Sequence, residues 1–287
     1  MATQAQPDVP KPQDHAQLWR AEVFGGLELL RAHFVEFNFS PHTHEEFMIG
    51  VTESGTALPR FRGEVRRVGP GDVFVLHPGE VHGGGPAADS IWRYRSFYPS
   101  GSLMQQVLQE LTGADRGVPQ LTGDVVSDPD LATRLRQAHM VLEKPGSALA
   151  GESLLLEALA SLVANYAVDK VAVSHIGAEH RAVKLAKDYL EALPSENVSL
   201  ESLAQVAGLS SFRLCRVFHR ETGLTPHAYQ ILVRVRLAKT LLVQGIPISQ
   251  AAVESGFFDQ AHLTKHFKRI YGVTPGRYLG KVFPDAS

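Results

Sequence analysis

Three histidines in the first third of the chain have the residue type and spacing of a ligand site. His42 and His44 follow the run Phe37-Asn-Phe-Ser, and His82 ends the run Gly71-Asp-Val-Phe-Val-Leu-His-Pro-Gly-Glu-Val-His. Residues two apart on a strand face the same side of a sheet, so a second strand could bring His82 to the other two. Imidazoles bind Zn²⁺, Ni²⁺ or Fe²⁺, and without a metal they hydrogen-bond in a pocket. The set therefore predicts a metal site at His42, His44 and His82 or a polar pocket wall.

The spacing of these histidines resembles the two motifs of the cupin family, His-x-His followed by Gly-x6-Pro-Gly-x2-His. The resemblance implies a small β jelly roll with a divalent metal, zinc, nickel or iron. Enzymatic cupins also carry a Glu after three or four further residues, where this chain has Met48 and Ile49. That departure argues against a metal-dependent cupin enzyme, which stays the alternative together with a metal sensor.

Short strands must position these histidines. Between residues 22 and 99, brief apolar runs alternate with Gly- and Pro-containing turns, as in an all-β barrel or sandwich. Val35, Phe37 and Phe39 alternate with polar residues, which predicts a strand, and 73–76 reads as a strand buried on both faces. A last strand over 91–98 supplies aromatic side chains that form either pocket walls or core. With the histidines, the predicted effector pocket contains His42, His44, His82, Trp92 and Tyr94.

Helices are predicted to follow the strands, at 102–111, 128–144 and 147–168. In the third, Leu155, Leu159 and Leu162 recur at three- and four-residue spacing and form an apolar stripe. We expect this stripe to contribute to a dimer interface. Residues 1–18 are rich in Pro and Gln and show no period, which predicts a flexible arm.

Composition excludes several classes of protein. The chain has 287 residues, 44% hydrophobic and 20% charged, as is usual for globular domains rather than disordered or coiled-coil chains. We find neither a run of about 18 apolar residues nor a basic start followed by an apolar core, so we expect no membrane span and no secretory signal. The single cysteine, Cys215, cannot form an intrachain disulfide, which fits a cytoplasmic protein.

Charge is distributed unevenly along the chain. Residues 175–287 carry 14 Lys and Arg against 9 Asp and Glu, a net charge of +5, which leaves −7 for residues 1–174 of the total −2. An acidic front half with a basic back half suggests a module that binds a polyanion.

Two stretches of the basic half follow the pattern of helix, glycine turn and capped helix. In 199–221 the turn contains Gly208 and Ser210 is the expected N-cap; in 248–271 the corresponding residues are Gly256 and Asp259. This pattern is a helix-turn-helix, whose second helix enters the major groove of DNA. The outward side chains of the two second helices are the predicted DNA contacts: Phe212, Arg213, Arg216, Arg220, Gln260, His262, Lys265 and Lys268.

Residues 180–279 resemble the DNA-binding domain of the AraC/XylS family of bacterial transcription regulators. Its two signatures match Phe218-His-Arg-Glu-Thr-Gly-Leu-Thr-Pro and Gly256-Phe-Phe-Asp-Gln-Ala-His-Leu-Thr-Lys-His-Phe-Lys, and its closing motif matches Tyr271-Gly-Val-Thr-Pro. The resemblance implies a small-molecule effector in the cupin-like half, a homodimer, contact with RNA polymerase and activation of transcription. It also places a set of side chains toward the bases: Phe212, Cys215, Arg216, Gln260, Ala261, His262 and Lys265. Cys215 and Ala261 depart from the family because neither hydrogen-bonds bases well.

The sequence therefore predicts an α+β multidomain protein, with an N-terminal cupin-like β jelly roll followed by helices and then an all-α domain with two helix-turn-helix units. The predicted segments are a flexible arm at 1–18, a cupin-like effector-binding domain at 19–100, a helical dimerisation and connector region at 101–170, a linker at 171–178 and the DNA-binding domain at 179–287. The predicted function is that of a cytoplasmic, sequence-specific regulator of transcription that binds double-stranded DNA and is not an enzyme.

Overall fold

The structure, a computed structural model, describes residues 13–144, 148–168 and 179–282. The chain divides into two compact units. The first comprises Met1–His139 and Ala158–Ala172, and the second comprises Met140–Glu157 and Val173–Ser287. Residues 140–157 thus belong to the same unit as the C-terminal half of the chain. The linker predicted at 171–178 lies outside the described residues.

Two antiparallel sheets form the β part of the first unit. One sheet has the strand order β1-β2-β9-β4-β7-β10 and the other has the order β3-β8-β5-β6, with every named pair antiparallel. This is the cupin-like β domain that the sequence predicts. The strands are β1 His15–Ala21, β2 Leu27–Phe34, β3 Phe39–His42, β4 Met48–Ser54, β5 Arg60–Phe61, β6 Glu64–Val65, β7 Asp72–Leu76, β8 His82–Gly84, β9 Trp92–Tyr98 and β10 Val125–Ser127.

Strand β1 begins inside the segment predicted to be a flexible arm. It pairs with β2 along its whole length, with His15 opposite His33, and Asp14 Oδ1 accepts a 2.6 Å hydrogen bond from the backbone N–H of Val35. The arm prediction is therefore wrong for residues 13–18, since backbone pairing to β2 holds a strand whose side chains are mostly exposed. Residues 1–12 lie outside the described residues.

The strand predicted from the alternation at residues 35–39 is also wrong. Strand β2 ends at Phe34 and β3 begins at Phe39, with a bend between them. The ring of Phe37 packs on those of Phe34 and Phe39, with centroids 5.0 and 4.8 Å apart. The alternating aromatic residues thus form a cluster at the bend between two strands instead of one face of a strand. The apolar run at 73–76 lies in β7 and is buried, as predicted.

Three helices accompany the β domain at bounds close to those predicted: α1 Gly101–Thr112, α2 Pro129–Leu142 and α3 Ala148–Tyr166. Asp128 Oδ1 accepts a 3.0 Å hydrogen bond from Leu131 N and so satisfies a free donor in the first turn of α2. Helix α3 is long and apolar enough to cross a membrane, but 61% of its apolar stretch is buried inside the protein, as in a core helix.

The apolar stripe of α3 is core. Leu155, Leu159 and Leu162 each have 0% of their surface exposed within the single chain. The prediction that this stripe supplies a dimer interface is therefore wrong, because its side chains already pack against the rest of the chain.

Seven helices lie in the described residues 179–282 of the second unit. Four of them, α5, α6, α7 and α9, begin at a Ser, Thr or Asp whose side chain accepts a hydrogen bond from the first turn. Helix α7 has 18 residues and is thus about 27 Å long at 1.5 Å per residue. It connects the helix pair α5–α6 to the pair α8–α9. The bounds are α4 His180–Ala192, α5 Leu200–Ala207, α6 Ser211–Thr222, α7 Pro226–Val243, α8 Ile248–Glu254, α9 Gln260–Tyr271 and α10 Pro275–Val282.

Candidate functional site

The three histidines singled out in the sequence meet in the β domain. His42 and His82 are register partners across the β3–β8 pair, and their rings lie 4.2 Å apart between centroids. His44 lies two residues beyond the end of β3, with its ring 4.6 Å from that of His82. One nitrogen of each imidazole lies within 4.8 Å of the others. The predicted convergence is present, although strand alternation does not place His44.

Backbone carbonyls fix the orientation of all three rings. Nδ1 of His42, His44 and His82 lies 2.8, 3.0 and 2.9 Å from the carbonyl oxygens of Ser40, Glu46 and Glu80, respectively. Because a carbonyl only accepts, each Nδ1 carries the proton and donates it. Each neutral ring therefore has its lone pair on Nε2. This is the second-partner arrangement that orients imidazoles for a metal or a hydrogen-bonding ligand.

Burial keeps two of these imidazoles neutral. His82 is buried and His44 is half-buried, and loss of water around each ring lowers the pKa of both side chains below the usual value. Nε2 of His44 is also buried without a hydrogen-bond partner among the described residues. A buried polar atom without a partner is costly, which points to an occupant for this position.

An ion pair that the sequence analysis missed holds the turn leading into His82. The Glu80 carboxylate accepts hydrogen bonds from the guanidinium of Arg62 and, at 2.9 Å, from His77 N. Burial alone would raise the pKa of Glu80, but these hydrogen bonds keep it below the usual value. His77 is not part of the cavity: its Nε2 accepts a 3.0 Å hydrogen bond from Leu121 N. No local pattern marks Arg62, which is 18 residues from its partner.

A pocket opens onto the three imidazoles, with about 430 Å³ of empty space when the part open to solvent at its mouth is included. All five residues predicted to form an effector pocket line it, and the rings of Trp92 and Tyr94 stack 4.2 Å apart in its wall. Met48 lines it at a place where enzymatic cupins carry a Glu. The lining residues, all within the described part of the chain, include no Lys, Arg, Asp or Glu: Phe39, His42, His44, Met48, Pro59, Phe61, Phe74, Leu76, His82, Gly83, Gly84, Trp92, Tyr94 and Tyr98.

The second unit contains both predicted helix-turn-helix motifs, α5–α6 and α8–α9. Gly208 and Gly256 have φ of +68° and +81°, the left-handed conformation that glycine adopts without strain. Ser210 Oγ accepts a 3.2 Å hydrogen bond from Arg213 N, and Asp259 Oδ1 accepts a 2.6 Å bond from His262 N. The two recognition helices, α6 and α9, are therefore equivalent from their N-caps onward, with a constant offset of 49 residues.

Recognition helix α9 presents its predicted contacts. Gln260, Lys265 and Lys268 are exposed, as is Ala261. His262 is half-buried, with its ring 4.8 Å from that of His266 and 5.2 Å from that of Phe257, and burial lowers its pKa.

Recognition helix α6 differs because two of the side chains that the family resemblance places toward the bases, Phe212 and Cys215, are buried. Their equivalents in α9, Ala261 and Thr264, are exposed and half-exposed. Cys215 Sγ lies 3.8 Å from Ser153 Oγ in α3, and complete burial raises the pKa of Cys215 to about 12. Phe212 and Cys215 are therefore not available to bases in this conformation, and their base contacts stay predictions.

The first turns of α3 also attach to α5. Glu152 is buried and its carboxylate accepts a 2.8 Å hydrogen bond from Leu200 N, at the start of α5; burial raises the pKa of Glu152. Residues 148–157, named the cover segment from here on, thus contact both helices of the first motif. No local sequence pattern predicts this contact, since its partners are about 50 to 60 residues apart.

The three arginines predicted on α6 lie at its surface. Arg213 is exposed and pairs with Glu179, with Nε 2.7 Å from Oε1. Arg216 is half-buried, with its guanidinium 5.7 Å from the ring centroid of Phe212. Arg220 is exposed.

Comparisons with known proteins agree with this geometry. The family model described as AraC-like ligand binding domain matches residues 24–159, and the helix-turn-helix domain model matches residues 203–281. The uncharacterized HTH-type transcriptional regulator YbfI of Bacillus subtilis is 30% identical over 237 residues, 83% of this chain and 86% of that one. The arabinose operon regulatory protein of Salmonella typhimurium is 25% identical over 273 residues, 91% of this chain and 93% of that one.

A solved structure of a probable AraC family transcriptional regulator from Rhodopseudomonas palustris is 28% identical, covering 35% of this chain and 95% of that one, with a TM-score of 0.33. The ligand-binding model spans the histidine cavity, and the helix-turn-helix model spans α6 and α9. With a ligand-binding β domain and two DNA-binding helix-turn-helix units in one chain, this protein belongs to the AraC/XylS family of transcription regulators.

Proposed function

We propose that this regulator binds a small-molecule effector in the histidine cavity and that the effector controls whether α6 is available to DNA. The observation that carries the proposal is the convergence of three oriented imidazoles on one pocket. Pockets with apolar and aromatic walls and a few convergent polar groups are typical small-molecule sites.

The lining defines the chemistry of the effector. Neutral imidazoles with a free Nε2 accept hydrogen bonds, and aromatic side chains such as Trp92 and Tyr94 make the walls flat and apolar. With no charged side chain in the lining, an uncompensated ionic group on the effector would be costly to bury. We therefore expect a small, flat or apolar molecule with hydroxyl or N–H groups directed at the histidines.

The same three Nε2 atoms fit a divalent metal, and the unpartnered Nε2 of His44 supports this use. Zinc, nickel or iron held by His42, His44 and His82 would supply a positive charge that attracts an oxygen of the effector. With Met48 in place of a carboxylate, we favour a regulator over a metal-dependent cupin enzyme. A metal sensor is the other alternative, in which the metal alone changes the affinity for DNA.

Native mass spectrometry of the purified full chain, with metal analysis, tests the cavity. We expect a co-purified small molecule or one metal ion per chain in the wild type and in His15→Ala, whose imidazole is exposed on β1, and its loss in His44→Ala. If the wild type carries neither, added Zn²⁺ and Ni²⁺ are titrated calorimetrically. Absence of binding in both experiments, or equal binding by His44→Ala, would contradict a ligand role for the histidines.

Control of DNA binding follows from the covered face of α6. Buried side chains cannot contact bases, so two-motif recognition requires the cover segment to leave α6. An effector changes DNA binding only if its affinity differs between the covered and uncovered forms. A homodimer, contact with RNA polymerase, activation of transcription and a cytoplasmic location are further proposals that rest on family membership.

A further inference from the structure

The turns of the two helix-turn-helix motifs differ by one residue. Leu209 N donates to Ala204 O at 3.0 Å, and Phe257 N donates to Ala252 O at 2.9 Å, so Leu209 and Phe257 are equivalent. In the first motif the N-cap, Ser210, follows directly. In the second, one additional residue, Phe258, stands before the N-cap Asp259.

That additional residue is an unpacked aromatic. The side chain of Phe258 is 78% exposed, the highest value among the large hydrophobic residues in the described part of the chain, whereas Phe257 beside it is 3% exposed. Burying a Phe side chain stabilises a protein by roughly 1.5–3 kcal/mol, and Phe258 contributes none of this to the fold. Because Phe258 does not pack against the protein, its ring is available to contact a binding partner.

The position of Phe258 relates it to DNA. It immediately precedes the first turn of α9, and the N-terminal residues of a recognition helix are those that meet base edges. Lys265 and Lys268 of the same helix are exposed, and the neighbouring carboxylate of Asp259 is engaged as the N-cap of α9, so the free charge beside Phe258 fits a polyanion. Among base-edge groups, the 5-methyl of thymine is the one that an aromatic ring contacts favourably.

We propose that Phe258 is a specificity residue that packs against a thymine methyl in the major groove at the site of the second motif. The proposal rests on DNA binding by that motif. Because the first motif lacks an equivalent residue, this thymine preference belongs to one half of the binding site only.

The test starts from a duplex that the wild-type full chain selects from a randomised pool. Fluorescence anisotropy at fixed salt then compares wild type, Phe258→Ala, Phe258→Leu and Val243→Ala, a truncation of another exposed apolar residue in the same unit, at the end of α7. We expect Phe258→Ala to bind about tenfold more weakly, the size of one lost base contact. Phe258→Leu should retain part of the affinity and Val243→Ala all of it, with thermal melting unchanged in each.

Replacement of single thymines by deoxyuridine identifies the contact. At one thymine of the selected duplex, loss of the methyl group should weaken DNA binding by the wild type about tenfold. The same substitution should leave DNA binding by Phe258→Ala unchanged. Phe258→Ala that binds as the wild type does and selects the same sequence would overturn the proposal, as would equal sensitivity of both proteins to every substitution. Unchanged DNA binding with lost transcription would assign Phe258 to a protein partner instead. If the wild type selects no sequence from the pool, sequence-specific DNA binding itself is contradicted. That outcome is distinct from failure of the Phe258 proposal, in which the wild type still selects a sequence.

Discussion

Removal of the Glu152 side chain should free the first recognition helix. In the covered form its carboxylate accepts the Leu200 N–H at 2.8 Å, and both residues are buried. Glu152→Ala leaves that N–H buried without an acceptor, at a cost of about 1–3 kcal/mol. Once the cover segment has left, the same N–H is a first-turn donor that water can satisfy. Only the covered form is destabilised, so the equilibrium should shift toward the uncovered form by about 5- to 150-fold.

Two measurements on the effector-free full chain report this shift. The DNA affinity of Glu152→Ala, measured by fluorescence anisotropy, should exceed that of the wild type by at most the 5- to 150-fold shift in the equilibrium. The increase is smaller if a large fraction of the wild type is already uncovered. The single cysteine gives the second readout: Cys215 is buried with its pKa raised to about 12, so iodoacetamide should alkylate it slowly in the wild type and faster in Glu152→Ala. Glu201→Ala is the control, because it removes the same charge from an exposed position on α5.

Equal DNA affinities of Glu152→Ala and Glu201→Ala would refute the role of the cover segment in DNA binding. Faster alkylation of Cys215 without tighter DNA binding would show that the segment moves but does not compete with DNA. The alkylation rate of Cys215 thus reports whether the cover segment leaves α6, and the DNA affinity reports whether that departure changes recognition.

Three further outcomes are expected. Arg216→Ala should weaken specific binding by about 1–3 kcal/mol and relax preference at one base pair, whereas Lys268→Ala should weaken all duplexes alike and reduce the salt slope by about one; identical behaviour of the two variants would contradict these roles. Leu159→Glu should abolish cooperative unfolding in thermal melts, since it buries a charge in the core of the chain; a folded monomer would contradict that placement. Burial and Arg95 hold the pKa of His139 at about 3, so below pH 6.5 the unfolded chain binds a proton that the folded chain does not. His139 alone should therefore lower the free energy of unfolding by about 2 kcal/mol between pH 7 and pH 5, in addition to the fall from other histidines such as His227, whose pKa burial also lowers to about 3; urea titrations should show a smaller fall in His139→Gln.

The helix-turn-helix motifs could be predicted because their signals are local. Gly208 ends one helix, and Ser210 caps the next two residues later; in the second motif Gly256 and Asp259 have the same roles three residues apart. Each of these residues acts through the backbone of its own turn, so its neighbours in sequence are enough to identify it.

The state of the first motif could not be predicted, because it depends on distant contacts. Cys215 contacts a segment about 60 residues earlier, and no periodicity in α6 records that contact. A helix with two apolar faces, one for its own motif and one for a covering segment, has the same sequence pattern as a helix with an aromatic side chain directed at DNA.

The sequence motifs identify the three histidines that converge, but strand alternation explains the position of only some of them. Strand alternation accounts for His42 but not for His44, which lies beyond β3 and is oriented by the Glu46 carbonyl. Arg62 and Glu80 were missed because a non-local ion pair leaves no pattern in the sequence. Strand β1 was missed since a mostly exposed edge strand, held by backbone pairing, needs no apolar repeat.

The unequal exposure of the two recognition helices has a consequence for how the protein searches a genome. The cations of both recognition helices are at the surface while Phe212 and Cys215 of α6 are buried, so the covered form can meet arbitrary DNA through phosphate contacts, and such binding is weak, strongly salt-dependent and compatible with sliding. Uncovering α6 adds apolar contacts to bases, so affinity for the target should rise while the salt dependence of binding changes little. The covered protein would then be the mobile form that scans DNA, and release of the cover segment would set its residence time at a target.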